Sequence, residues 1–159
     1  MAVTLQIRPV QPGDAQRLID LHERCSEQAR YFRFHAAKPR LRAAEAEYLA
    51  AADGRGRVAL AAVTVEAGEE CIVADARFDL VGDGDAEAAL LLRDDVAGRG
   101  LGTLLLDRLL EHAADLGVRR LLLDILPENQ AMLALARRVG AAPVAFDGRS
   151  VLYAVEVTR

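Results

Sequence analysis

Cysteine is scarce in this chain: Cys25 and Cys71 are the only two in 159 residues. Neither belongs to a C-x-x-C pair, and no histidine stands near either in metal-ligand spacing. A disulfide scaffold, a zinc module and dithiol redox chemistry are therefore excluded. A basic excess is also missing. The net charge is −4, and Arg93, Arg99, Arg119 and Arg120 are too dispersed to form the stripe a nucleic-acid binder carries. No apolar run approaches the ~20 residues that span a bilayer. The opening MAVTLQIRPV has no basic segment followed by an apolar one, so no signal peptide is expected. These absences point to reduced thiols in a cytoplasmic protein with no nucleic-acid or membrane partner. Repeats, low-complexity tracts and linkers are absent too, which leaves residues 1–159 as a single domain.

The composition is that of a globular chain, 52% hydrophobic and 28% charged. A chain of this length buries roughly 70% of its unfolded surface and needs no staple. Val3–Arg8 alternates apolar and polar residues, the period of a half-buried strand, and Pro9 to Gly13 breaks it. Asp14 opens a helix running to about Cys25, and a second helix is expected from about Arg42 to Ala52. His22 lies inside the first of these and reads as structural. Between the two helices, Ser26–Phe34 concentrates aromatics in a chain only 4% aromatic. Tyr31, Phe32 and Phe34, beside Arg30 and Arg33, suit a core plug or the wall of an acceptor pocket.

Val58–Val65 and Cys71–Phe78 form a hairpin through the Glu66–Glu69 turn, and Ala86–Leu92 is the next strand of a meander. A helix follows over Gly100–Leu116, stopped by Gly117. Arg120–Leu126 reads as a strand covered on both faces and Glu128–Val139 as the last helix, with a hairpin around Asp147–Ser150 closing the sheet. The expected order is β-α-α-β-β-β-α-β-α-β-β. This is a mixed α/β (α+β) sheet, antiparallel in its first half.

The chain is organised around Ala86–Thr103, AEAALLLRDDVAGRGLGT. A strand leads into a glycine turn, Gly98-Arg99-Gly100-Leu101-Gly102, and a helix begins there. Unpaired amides and the positive end of the dipole make such a helix start an anion site. At the other end of the strand stand two carboxylates, Asp85 and Glu87, equal candidates for an acid or base.

Ala97-Gly98-Arg99-Gly100-Leu101-Gly102, with this element order, resembles the cofactor turn of the GNAT acyltransferases, Gln/Arg-x-x-Gly-x-Gly/Ala. Ala97 departs from it and removes one side-chain contact to a pyrophosphate. Asn129 falls where that superfamily keeps an Asn facing the pantetheine arm. Within the superfamily, Ser26…Arg30-Tyr-Phe-Arg-Phe34, Ala86–Ala89 and Glu128–Met132 are similar to bacterial Pat-type protein lysine acetyltransferases. Those enzymes modify acyl-CoA synthetases and are often fused to a regulatory domain.

The resemblance implies acetyl transfer from acetyl-CoA to an amine, most readily a protein lysine. Glu87 would be the general base rather than Asp85. The amides of Leu91 or Leu92 would pair with pantetheine and polarise the thioester carbonyl, a modest oxyanion-type role, and Gly98, Arg99, Gly100, Gly102 and Thr103 would hold the pyrophosphate. No metal is implied. A free lysine has a pKa near 10.4, so on the order of 0.1% is neutral at physiological pH, and a base that takes its proton contributes ~10²–10⁴ in rate. From Glu87 to Leu92 an extended strand covers about 17 Å, which separates the base from the pyrophosphate. Many GNAT enzymes carry a Tyr on the last helix to protonate the leaving thiolate; here Ala136 occupies that position. The acceptor groove is expected from Ser26–Phe34 and the Glu66–Glu70 and Asp147–Ser150 turns. A small-amine acceptor and a CoA-binding module with little turnover are the alternatives, and the oligomeric state is open.

Overall fold

The apolar runs in the middle of the chain become a meander of long strands in the computed structural model, which describes residues 4–158. The strands are β1 (Gln6–Pro9), β2 (Arg57–Glu66), β3 (Glu69–Gly82), β4 (Asp85–Leu92), β5 (Arg120–Ile125), β6 (Ala142–Phe146) and β7 (Val151–Glu156). The helices are α1 (Ala15–Arg24), α2 (Glu27–Phe34), α3 (Ala43–Ala50), α4 (Leu101–Asp115) and α5 (Gln130–Arg138). One sheet carries the order β1-β2-β3-β4-β5-β7-β6. Every pairing is antiparallel except that of β4 with β5, which α4 connects as a crossover.

Two expectations need correction. The first strand is Gln6–Pro9 rather than Val3–Arg8, and Val3 lies outside the described residues. Pro9 is tolerated because β1 is an edge strand and Pro9 is its last residue. The segment Ser26–Phe34 is a helix in its own right, so three helices precede the meander. Ser26 caps it: its Oγ accepts from the Ala29 N–H at 3.1 Å. Asp94 accepts from both the Ser26 N–H and the Ser26 hydroxyl, each at 2.8 Å, and ties this helix start to the segment after β4.

The sheet has a core on each face. On one side Phe78, Ala86, Ala88, Leu121 and Leu123 meet Leu105, Leu106 and Leu109 of α4. On the other, Ala59, Ala61, Val63, Ile72 and Leu91 meet Leu18 and Leu21 of α1 and Ala46 and Ala50 of α3. α1 and α3 stop short of the β5 side. Beyond them α2 packs against β4, and the face carries Asp79 and Glu87 beside the buried Leu122.

Register places the site. β4 and β5 pair only from Asp85↔Arg120 to Ala88↔Leu123. Beyond Ala88, β4 continues to Leu92 with β3 on one side and no strand on the other. The two central strands thus fork.

Candidate active site

The fork opens into a cleft of about 760 Å³, walled by Leu90–Leu92 of β4, the glycine turn, and Asn129, Met132 and Leu135 of α5. α2 supplies the opposite wall with Gln28, Phe32 and Arg33. At the crotch of the fork a smaller cavity of about 40 Å³ touches Arg33, Ala88–Leu90, Leu123, Asp124 and Met132.

The cleft ends at the start of α4. Gly100 sits at φ 84°, a left-handed conformation open to glycine at little cost, and nothing lies within 4 Å of where its Cβ would be. Gly102 is close-packed instead. A Cβ there would come 3.2 Å from Leu135 Cδ1, so its absence lets α4 approach α5. Leu104 makes the first helical bond, to Gly100 O at 3.1 Å, and the N–H groups of Gly100–Thr103 donate to nothing among the described residues. These free donors at the positive end of a 15-residue helix form an anion cradle. Gly98 lines it, and the Arg99 side chain beside it is exposed. Ala97 is exposed on the rim.

At the far end of β4 the two acidic candidates part company. Asp85 is bound bidentately by Arg120, with Nε and Nη2 at 3.0 and 2.9 Å. Those hydrogen bonds hold its carboxyl below the usual carboxylate range. Glu87 is exposed, and its carboxylate has no hydrogen bond or ion pair among the described residues. Its strand neighbours are Asp79 on β3 and Leu122 on β5. Period two puts Asp124 on the same sheet face as Leu122. The floor beyond α1 and α3 is therefore acidic across three adjacent strands.

Of the three groove segments expected, two come together. Arg149, on the β6–β7 turn, donates to the Tyr31 hydroxyl at 3.1 Å and also to the His35 carbonyl. The Glu66–Glu70 turn is not part of this wall. Glu87 faces Asp79, nine residues along β3 from Glu70, and Glu66 accepts instead from Arg93 at 2.6 Å beyond the opposite end of β4. His22 is structural, as read: it is buried, with Nε2 2.7 Å from Lys38 O and its ring edge-on to Phe34.

Asn129 has two faces. Its Oδ1 accepts from the Met132 N–H at 3.2 Å and caps α5, while the residue also lines the cleft. Its side-chain N–H₂ donates to nothing among the described residues, so it is free for a ligand. Ala136 is 1% exposed and packed in the core. Asp79, Asp124 and Arg149 were not singled out by sequence reasoning. Each is brought in by strand register or by a contact across more than a hundred positions, and neither leaves a local motif.

Residues 4–142 match the model of the acetyltransferase (GNAT) domain. The chain belongs to the GNAT family. It is 34% identical over 153 residues to the acetyltransferase Pat of Mycolicibacterium smegmatis, covering 95% of this chain and 45% of that relative. The chain thus spans less than half the length of that curated protein. The GNAT domain of S. lividans PAT superposes with a TM-score of 0.87 at 30% identity, over 98% of this chain and 96% of that one. The PaiA N-acetyltransferase of Thermoplasma acidophilum, solved in complex with coenzyme A, shares the fold at 13% identity. Its TM-score is 0.77, over 96% of this chain and 99% of that one. This GNAT chain is similar to Pat over almost the whole of its own length. Among its described residues no helix is long and apolar enough to cross a membrane, and no three His, Cys, Asp or Glu side chains gather as metal ligands.

Proposed function

We propose that residues 1–159 form one catalytic domain that transfers the acetyl group of acetyl-CoA to a protein lysine, with Glu87 as general base. The observation that carries this reading is the free Glu87 carboxylate on the strand that also walls the cleft. The GNAT cofactor fits what is present. The unused N–H groups of Gly100–Thr103 would donate to a pyrophosphate, Gly98 and Arg99 would flank it, and the half-open edge of β4 at Leu91 and Leu92 would take a pantetheine arm. The Asn129 amide faces that arm. When bound, acetyl-CoA supplies the activated acyl carbon. This chain's residues supply the rest: a cradle, a channel and a base.

The acidic floor of Asp79, Glu87 and Asp124 favours a cationic acceptor, and Glu87 removes the proton that keeps a lysine from attacking. Asp85 is a weaker base because Arg120 already neutralises it. Similarity to Pat and to the S. lividans domain supports a protein acceptor of the acyl-CoA synthetase class. The test is Glu87→Gln assayed from pH 6 to 9 with acyl-CoA synthetases and a panel of small amines. We expect about a 10²-fold or larger loss of kcat on a protein acceptor, with acetyl-CoA affinity retained. Unchanged turnover removes Glu87 from the mechanism, and a small amine that outcompetes every protein moves the acceptor to that class.

A further inference from the structure

Arg33 is a cation with no assigned work. It points from α2 into the fork, lining both the cleft along Leu90–Leu92 and the small cavity at Ala88 and Asp124. Its guanidinium lies over the Phe34 ring, 4.6 Å from the centroid, and makes no hydrogen bond or ion pair among the described residues. Five N–H donors are left for something else. Its charge is set by groups at a distance. Burial lowers its pKa first of all; Asp75, Asp79 and Glu87 oppose that, and Arg77 adds to it. Neutral His22 borders it from α1, Asp124 from β5, and Asp94 and Glu128 stand at the cleft rim. An arginine so placed remains protonated.

Among the described residues Arg33 is the only cation lining the fork, and α5 brings neither a cation nor an acid to it. α5 presents Ala131, Met132, Ala134 and Leu135, with Gln130 at its start, and Ala136 is sealed in the core. A carboxylate-bearing acyl group is a poor partner for Arg33, because the cavity is small and Asp124 forms part of its wall. The geometry points to a transient anion instead. Arg33 is a catalytic residue that stabilises the negative charge on the thioester oxygen and then on the departing sulfur, in the role Ala136 cannot fill. This rests on the acetyl-CoA reading above.

The step balances without a further reactant. The amine lone pair forms the C–N bond, and the carbonyl pair moves to oxygen under the guanidinium. Its return re-forms the C=O bond and breaks the C–S bond, and the sulfur leaves with the C–S bonding pair as thiolate. Glu87 passes the lysine ammonium's first proton to solvent before attack and takes the second from the nitrogen after the C–N bond forms, and Arg33 gives up none. Removal of one such donor typically costs ~10²–10³ in kcat.

The test needs no acceptor. CoA and desulfo-CoA, which lacks the sulfur, are titrated by calorimetry into wild type, Arg33→Met, Arg33→Gln and Arg33→Lys from pH 6.5 to 9. Thermal unfolding of each variant reports its fold. A stabilised thiolate lowers the thiol pKa in the complex, so wild-type preference for CoA over desulfo-CoA grows as pH rises. Each pKa unit appears as about tenfold in the ratio of the two Kd values. Arg33→Met and Arg33→Gln are expected to lose that growth while binding desulfo-CoA as wild type does, and Arg33→Lys to keep most of it. A folded Met or Gln variant that tracks wild type overturns the assignment. Failure of wild type to bind either ligand overturns the cofactor reading itself, a result distinct from the first.

Discussion

Glu87 on β4 stands directly across from Asp79 on β3, an antiparallel pair with both side chains on the sheet face that α1 and α3 leave uncovered. Directly opposed positions bring Cβ atoms to about 5 Å, where like charges repel. The arrangement costs stability unless a cation is expected between them. Arg33 feels both charges and offsets part of the repulsion, and on the proposed reading an acceptor ammonium would offset the rest.

Asp79→Asn removes one charge of this floor without touching Glu87. Two charges a few ångströms apart in a wet groove interact by somewhat under 1 kcal/mol, so the KM of a lysine acceptor should rise about threefold with kcat little changed. Adding Asp124→Asn, one strand beyond Glu87, should raise KM by a similar factor again and flatten its dependence on salt. Steady-state kinetics from 20 to 300 mM salt checks this. An unchanged KM for the double variant would mean that the floor plays no part in acceptor recognition.

Asn129 does two jobs that one substitution separates. Asn129→Asp keeps an oxygen for the Met132 N–H and so keeps the cap of α5, but loses the amide donor facing the cleft. Asn129→Ala loses both, and the missing cap alone costs about 1 kcal/mol. The expected pattern is a lowered unfolding temperature for Asn129→Ala alone, and acetyl-CoA affinity weakened several-fold in both. If Asn129→Asp binds acetyl-CoA like wild type, the residue is only a cap.

Much of this was legible in the sequence because local chemistry and tertiary structure agree. The β2–β3 turn carries Ala67 and Gly68 at positive φ, the hairpin geometry its composition implied, and α4 begins and ends at its glycines. The extra helix was not legible. None of the residues of α2 is fully buried, so no apolar stripe marks it, and Asp94 anchors its start from 68 positions away. The choice between Asp85 and Glu87 turns on Arg120, 35 positions on. The fork depends on where β4 and β5 stop pairing, a property of register that no single segment carries.

Asp14 should give acid sensitivity to the fold. It is 1% exposed and accepts from Arg8 at 2.7 and 2.9 Å, from the Gln11 N–H at 2.8 Å and from Arg17 at 3.1 Å. Burial alone would raise its pKa, but these donors outweigh it and hold the carboxyl below its ordinary value. A carboxyl depressed in the folded state stabilises it fully above the unfolded pKa of about 3.9, and that contribution is lost as pH falls through the lower folded value. Urea unfolding from pH 7 to 2 should therefore show wild type losing stability below about pH 4. Asp14→Asn should be less stable at pH 7, flatter through the acid range, and closer to wild type at pH 2. Parallel curves for the two proteins would assign the acid sensitivity to other carboxyls.

The two thiols should behave oppositely toward an alkylating reagent. Cys25 is 4% exposed, its Sγ 3.6 Å from the Leu92 carbonyl at the end of β4. Burial first, then the Asp94 charge, push its pKa up to about 12. At pH 8 only about one molecule in 10⁴ carries the Cys25 thiolate, the form that reacts. Cys71 is half-exposed on β3 near the β2–β3 turn. Iodoacetamide on the folded protein should therefore add one group per chain, located at Cys71 by peptide mapping, and a second only after denaturation. Rapid modification of Cys25 in the folded protein would mean that α1 opens away from β4. Its rate would then report how often the floor of the cleft comes apart.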